Sequence, residues 1–221
     1  MSLQTIVDNA TYVTIYRKKI AGQSISRSGR LLTSEVVSAV PYQFTTGMHG
    51  GLQYSTNRAL TESLNSLDVT EESTIDIGTT NTGLAYITAY QGDLSAAQIG
   101  QIDVTSALAS SLVLDTTAVT GTPSGNVFEK GDYLILDGGY RYPYQVTADV
   151  AWHVSTITVP LSRNFIPQDS YTPAGKGIAV GSAVTWKVKM INKPRYSVIP
   201  GDLLEFDSDF EFIEFIRKED V

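Results

Sequence analysis

Apolar side chains along this chain return mostly at every second position, the spacing of half-buried β-strands. Val13-Thr14-Ile15-Tyr16 reads as a strand that runs into the basic segment Arg17-Lys18-Lys19. The stretch from Ala21 to Arg30 is polar, rich in small residues and aperiodic, which predicts an exposed loop or the tip of a long hairpin. Strand character returns over residues 35–46, where Val36, Val40, Tyr42 and Phe44 share one face and Val37, Ala39 and Gln43 the other. Pro41 inside this run predicts an edge strand or a bulge, because proline has no N–H to give a ladder. Helical spacing occurs convincingly once. Leu60, Leu64 and Leu67 fall at i, i+4 and i+7, predicting one short helix over about residues 56–68, capped from Ser55-Thr56-Asn57.

From residue 74 the texture changes to short strands, Ser73–Ile77, Leu84–Tyr90 and Leu112–Leu114, between turns of Gly, Thr, Ser and Asn. Residues 95–110, rich in Ala and Gln, have room for one helical turn. Tyr133–Leu136, the turn Asp137-Gly138-Gly139 and the returning strand Tyr142–Val146 form a hairpin pattern, with Thr156–Val159 as the next strand to pair. Strands this short at this spacing predict a small barrel or sandwich. Ala183–Met190 alternates, with Lys187 and Lys189 on the solvent side. From 204 to 212, Leu204, Phe206, Ser208, Phe210 and Phe212 share one face, and Glu205, Asp207, Asp209 and Glu211 the other. Ile213 and Phe215 then take over the apolar phase and Glu214 the polar one, a one-residue slip of the kind a β-bulge produces.

Composition narrows the function classes. The 221 residues are 42% hydrophobic and 18% charged, enough for one large domain or two small ones with a core. No cysteine is present, which excludes disulfides, thiolate zinc sites and a cysteine nucleophile. Met1-Ser2-Leu3-Gln4-Thr5 carries no basic start of a signal peptide, and no apolar run approaches the ~20 residues of a membrane helix. A net charge of −7 argues against sequence-specific or general nucleic-acid binding. Its distribution says more. Residues 1–61 set Arg17, Lys18, Lys19, Arg27, Arg30 and Arg58 against Asp8 and Glu35, a balance of +4. Residues 202–221 set eight carboxylates against Arg217 and Lys218, a balance of −6. Opposed charges on the two ends suit either a strand pair within one subunit or head-to-tail stacking of copies.

Candidate chemistry is sparse. His49 sits in the glycine turn Gly47-Met48-His49-Gly50-Gly51 and His153 beside Trp152, and neither belongs to a catalytic or metal-spacing motif. That turn lacks the Lys-Ser/Thr pair of a phosphate loop. Asp207, Asp209 and Glu211 have the alternating spacing of calcium ligands without the glycine turn such a loop needs. The expectation is a protein that is not an enzyme and carries no cofactor or metal.

Several segments together resemble a known family. They are Tyr16-Arg17 through Ser26-Arg27-Ser28-Gly29 to Pro41-Tyr42-Gln43-Phe44, and Leu52-Gln53-Tyr54-Ser55-Thr56-Asn57-Arg58-Ala59-Leu60. To these add Pro194-Arg195-Tyr196-Ser197-Val198-Ile199-Pro200-Gly201-Asp202 with the strand Phe206–Phe215. The set is similar to virion structural proteins of contractile-tailed bacteriophages, placed where tail tube meets baseplate. Lys130-Gly131-Asp132-Tyr133, Tyr144–Val150 and Thr156–Val159 resemble small β-barrel modules of phage virions.

The resemblance covers about two thirds of the chain. It implies a mainly β protein, a tail-tube-like barrel or sandwich with one short helix and a long hairpin (residues 1–74 and 186–221), carrying an inserted small β-barrel (75–185). It implies a hexameric ring stacked on other tail tube and baseplate proteins, assembled in the host cytoplasm and located in the virion tail. It implies no catalytic residues and no membrane contact. Loop 20–34 is expected at a subunit contact, and Arg17, Lys18, Lys19, Arg27, Arg30, Asp207, Asp209 and Glu211 are the expected assembly surface. Two other readings stand beside it. One is a receptor- or glycan-binding module using the twelve tyrosines. The other is a hydrolase with an unmarked carboxylate pair.

Overall fold

Period-2 alternation at the two ends of the chain turns out to belong to a single antiparallel sheet. The computed structural model describes residues 3–17, 21–25, 31–35, 40–48, 52–66, 71–121, 123–217 and 220. The chain begins with α1 (Gln4–Asp8), β1 (Ala10–Tyr16), β2 (Ala21–Ile25), β3 (Leu31–Glu35) and β4 (Gln43–Met48). Then come β5 (Leu52–Gln53), α2 (Tyr54–Ser66) and β6 (Ser73–Asp76). A 3₁₀ turn over Thr82–Ile87 and α3 (Ala96–Ile99) lead into the middle segment. Its strands are β7 (Asp103–Ala107), β8 (Ser111–Asp115), β9 (Asn126–Phe128), β10 (Tyr133–Leu136), β11 (Tyr144–Gln145), β12 (Val150–Ala151), β13 (Thr156–Pro160) and β14 (Ile178–Val180). The chain finishes with β15 (Thr185–Asn192), β16 (Tyr196–Ile199), β17 (Leu203–Phe206) and β18 (Phe210–Glu214). The protein is mainly β, with a curled, half-barrel sheet.

The largest sheet has the order β1-β4-β18-β15-β6. Alternation puts Phe44, Thr46, Phe210, Phe212, Trp186, Val188, Met190 and Ile75 on its buried face. Trp186, wholly buried, meets the rings of Phe44, Tyr133 and Tyr42 edge-on, at 5.5, 5.6 and 6.3 Å. Aromatic pairs of this geometry add about 0.5–1.5 kcal/mol each beyond their buried area. Tyr133 belongs to β10 in the middle segment, so one core runs continuously from the sheet into that segment.

In the middle segment β10 pairs with β11 and β14, and β8 with β7 and β13. The bridges Val146–Leu161 and Asp103–Gly177 join the two triplets at both ends, giving a closed circuit of antiparallel pairings. Thr156–Pro160 pairs along its whole length with β8, and its link to the β11 side is a single bridge, so it is not the third strand of the β10–β11 hairpin.

Several expectations are corrected. Leu84–Tyr90 is not a strand. Asn81 donates its side-chain amide to the carbonyls of Val7 and Ala10, and Thr88 donates its hydroxyl to Ile77, so side-chain bonds hold the segment in a 3₁₀ turn. The helical segment spans Tyr54–Ser66, kinked at Asn57 (φ −109°, ψ 18°), where the leucine spacing predicts about 56–68, and Leu67 lies outside the described residues. Its first turn is capped by Asp202 rather than from within Ser55-Thr56-Asn57. The Asp202 carbonyl accepts from Tyr54 N–H at 2.8 Å, and its carboxylate accepts from Ser55 N–H at 3.0 Å and from the Ser55 hydroxyl. β4 lies inside the sheet, between β1 and β18, and is no edge strand. Pro41 is compatible with that place because the ladder starts two residues later, at Gln43.

The acidic strand of residues 204–212 is two strands. β17 pairs with β16 and β5, whereas β18 joins the large sheet. Between them Asp207 N–H donates to Arg195 O at 3.0 Å, and Arg195 N–H donates back to the Asp207 carboxylate at 2.9 Å. Nor is there a phase slip at 213: Glu214 is buried on the same face as Phe210 and Phe212.

Candidate functional site

A sheet that neither closes nor is covered ends in two rows of unpaired N–H and C=O groups. Here the two edges differ. At β6, the Gln4 side chain of α1 acts like a short piece of neighbouring strand. Asp76 N–H donates to its Oε1 at 2.7 Å, and its Nε2 donates to Asp76 O at 3.1 Å. Burial of Leu3, Ile6 and Val7 anchors α1 there.

The β1 edge has no such cover among the described residues. β4 and α1 make the main contacts to β1 there, and Thr11, Tyr12, Thr14 and Tyr16 are exposed. Tyr12 and Tyr16 are 43% and 40% exposed, large for aromatic rings. After residues 18–20 the chain continues into β2 and β3, which pair with each other from Ala21–Glu35 to Ile25–Leu31. Among the described residues this ribbon pairs with no third strand.

Beside β1 lies a cleft of about 290 Å³, lined by Tyr12, Gly47 and Met48 on one side and by residues 204–209 on the other. Tyr12 faces Gly47 across the β1–β4 ladder, with its ring close to the glycine. A Cβ at Gly47 would stand 2.5 Å from Tyr12 Cε1, so glycine makes room for the ring. The nearby Asp209 carboxylate, as a hydrogen-bond partner and by its charge, together with some burial raises the Tyr12 phenol pKa above its ordinary value. Glu205 and Asp207 are exposed along the same wall. Three carboxylates and an aromatic ring suit a cationic side chain of a partner polypeptide. Among the described residues no three His, Asp or Glu side chains gather as a metal site.

The predicted assembly residues divide accordingly. Asp207 and Asp209 come together in the cleft. Glu211 does not line it, and sits on β18 opposite Thr45 and Asn192. Arg17 is half-buried and turned onto its own subunit, donating to the Ser162 carbonyl with its guanidinium 5.5 Å over the Tyr42 ring. Lys18, Lys19, Arg27, Arg30 and His49 lie outside the described residues. His153 is exposed. Of the tyrosines that motivated a glycan-binding reading, Tyr42, Tyr133, Tyr140, Tyr142 and Tyr144 are buried.

One pair was missed from the sequence altogether. Arg163 and Glu214 form a forked salt bridge with side chains 1% and 0% exposed, one of its bonds 2.7 Å long. The guanidinium also donates to the carbonyls of Val40 and Pro143, and packs over the rings of Tyr42 and Tyr144 at 4.8 and 5.2 Å. Glu214 Oε2 accepts from Tyr42 N–H at 3.0 Å. This pair ties the middle segment to the large sheet from inside and is closed to solvent. No helix among the described residues is long and apolar enough to cross a membrane. No protein-family model matches the chain, and no curated protein matches it in sequence.

Proposed function

We propose that this protein is a structural component of a contractile phage tail, at the junction of tail tube and baseplate. In this reading it closes into a ring with copies of itself and stacks on neighbouring tail proteins in the virion. The observation that carries the reading is the β2–β3 ribbon, which pairs with no third strand among the described residues. A two-stranded ribbon is marginal in water on its own, so a neighbouring chain is the natural source of its remaining contacts. The five-stranded sheet with its long hairpin is then the tail-tube-like domain of residues 1–74 and 186–221. The closed circuit of short strands is the inserted small barrel of 75–185, facing outward.

Charge supports the same reading. Arg17 is used within the subunit, which leaves Lys18, Lys19, Arg27 and Arg30 as the basic partners of Asp207 and Asp209 on a neighbour. Light scattering and negative-stain microscopy of the purified protein test this. Rings that loosen as salt is raised are expected, because exposed ion pairs are screened. A protein that stays monomeric at every concentration and is absent from purified tails ends the reading.

A further inference from the structure

A second contact follows from the open edge of β1, apart from the ribbon that carries the ring reading. We infer that two copies pair through β1, antiparallel and about a two-fold axis at Thr14, joining their five-stranded sheets edge to edge. Three observations lead there. First, apart from a bulge at its start, the edge carries among the described residues no charge, proline or covering element of the kind that keeps strands apart. Residues 9–16, Asn-Ala-Thr-Tyr-Val-Thr-Ile-Tyr, contain no charge and no proline, and the exposed side chains include two aromatic rings.

Second, the other edge of the same sheet is closed. Asp76 already has both backbone groups bonded by Gln4, and α1 is held by buried Leu3, Ile6 and Val7. A β1 edge arriving from a second copy therefore finds no place at β6, and the sheet does not continue head to tail.

Third, β1 is complementary to itself. The bulge between Ala10 and Tyr12 leaves Tyr12–Tyr16 as the stretch of unbroken register, and Thr14 is its centre. Antiparallel pairing about Thr14 sets Tyr12 against Tyr16, Val13 against Ile15 and Thr14 against Thr14 of the second copy. Aromatic, β-branched and Thr–Thr pairs are each favourable across antiparallel strands. The contact is isologous, so it joins copies in pairs and does not by itself grow into a filament.

The two-fold axis dictates the experiment. Thr14 faces itself, so Thr14→Lys and Thr14→Glu each place like charges directly opposite one another, while a mixture places Lys against Glu. Sedimentation of full-length protein is expected to show each variant pairing about tenfold or more weakly than the natural chain, and the equimolar mixture recovering as a heterodimer. Circular dichroism checks that both variants keep the fold. Variants that pair as well as the natural chain, or a mixture that stays unpaired, overturn the inference. If rings still form in that case, the ring reading survives it. A natural chain with no self-association at any concentration removes both.

Discussion

Arg163 and Glu214 are separated by 51 residues in the chain and joined by a pair of hydrogen bonds in the fold. Glu214→Gln would leave the guanidinium buried with no counter-charge, a loss of about 3–5 kcal/mol. Urea unfolding should show it as a lower midpoint. The joint replacement of Arg163→Met with Glu214→Leu should cost less than Glu214→Gln, because no charge is then stranded. A Glu214→Gln chain as stable as the natural one would mean that water reaches the pair. The polar character of Glu214 suggests a phase slip, whereas the alternation of Phe210 and Phe212 in fact continues through it and places this carboxylate inside. A buried carboxylate implies a cation, but nothing in spacing names Arg163. Gly47 is a milder case. Gly47→Ala should push the Tyr12 ring off β4 and weaken its interaction with Asp209, seen as a fall of the Tyr12 phenol pKa toward its ordinary value in an NMR titration.

At the scale of elements, α2 shows what local pattern carries and what it does not. Leu60 and Leu64 are buried as their spacing requires, so the helix and its inner face were legible. Its start was not, since the cap comes from Asp202, 147 residues away at the β16–β17 turn. Asp202 holds a positive φ of 64°, which Asp tolerates better than most residues. Asp202→Ala should therefore lose the carboxylate's part of the cap and an easy turn, about 1–2 kcal/mol. Hydrogen exchange should show the first turn of α2 opening ahead of its second half. Unchanged protection there would assign the cap to water instead. The acidic row of residues 205–211 failed as a single face for a related reason. The two hydrogen bonds between Asp207 and the Arg195 backbone, and one that the Asn192 side-chain amide donates to Asp209 O, turn the chain between two sheets.

At the scale of the whole molecule, one aromatic core joins the sheet to the middle segment, and its tyrosines set an alkaline limit. Burial, the largest cause, raises the phenols of Tyr90, Tyr142 and Tyr144 to about 12, and those of Tyr133 and Tyr140 further. A raised folded value favours the neutral phenol, so this stability is complete below the ordinary tyrosine value of about 10. It declines as pH rises from there through about 12. Tyrosinate absorbance should climb late, in step with loss of near-ultraviolet dichroism. An early rise with the fold intact would show that these rings reach solvent.

β-branched and aromatic residues at period two specified most strands, the leucine spacing specified a helix, and the lack of cysteine closed off whole classes of chemistry, because each of these properties is local. Tertiary structure alone decided which strand stands at an edge, that Gln4 shields β6 while β1 stays open, that Arg17 serves its own subunit, and that Asp207 and Asp209 share a cleft with Tyr12. Those outcomes depend on which distant segments meet. Side-chain period says which face of a strand is buried, and it is silent about what lies beside it.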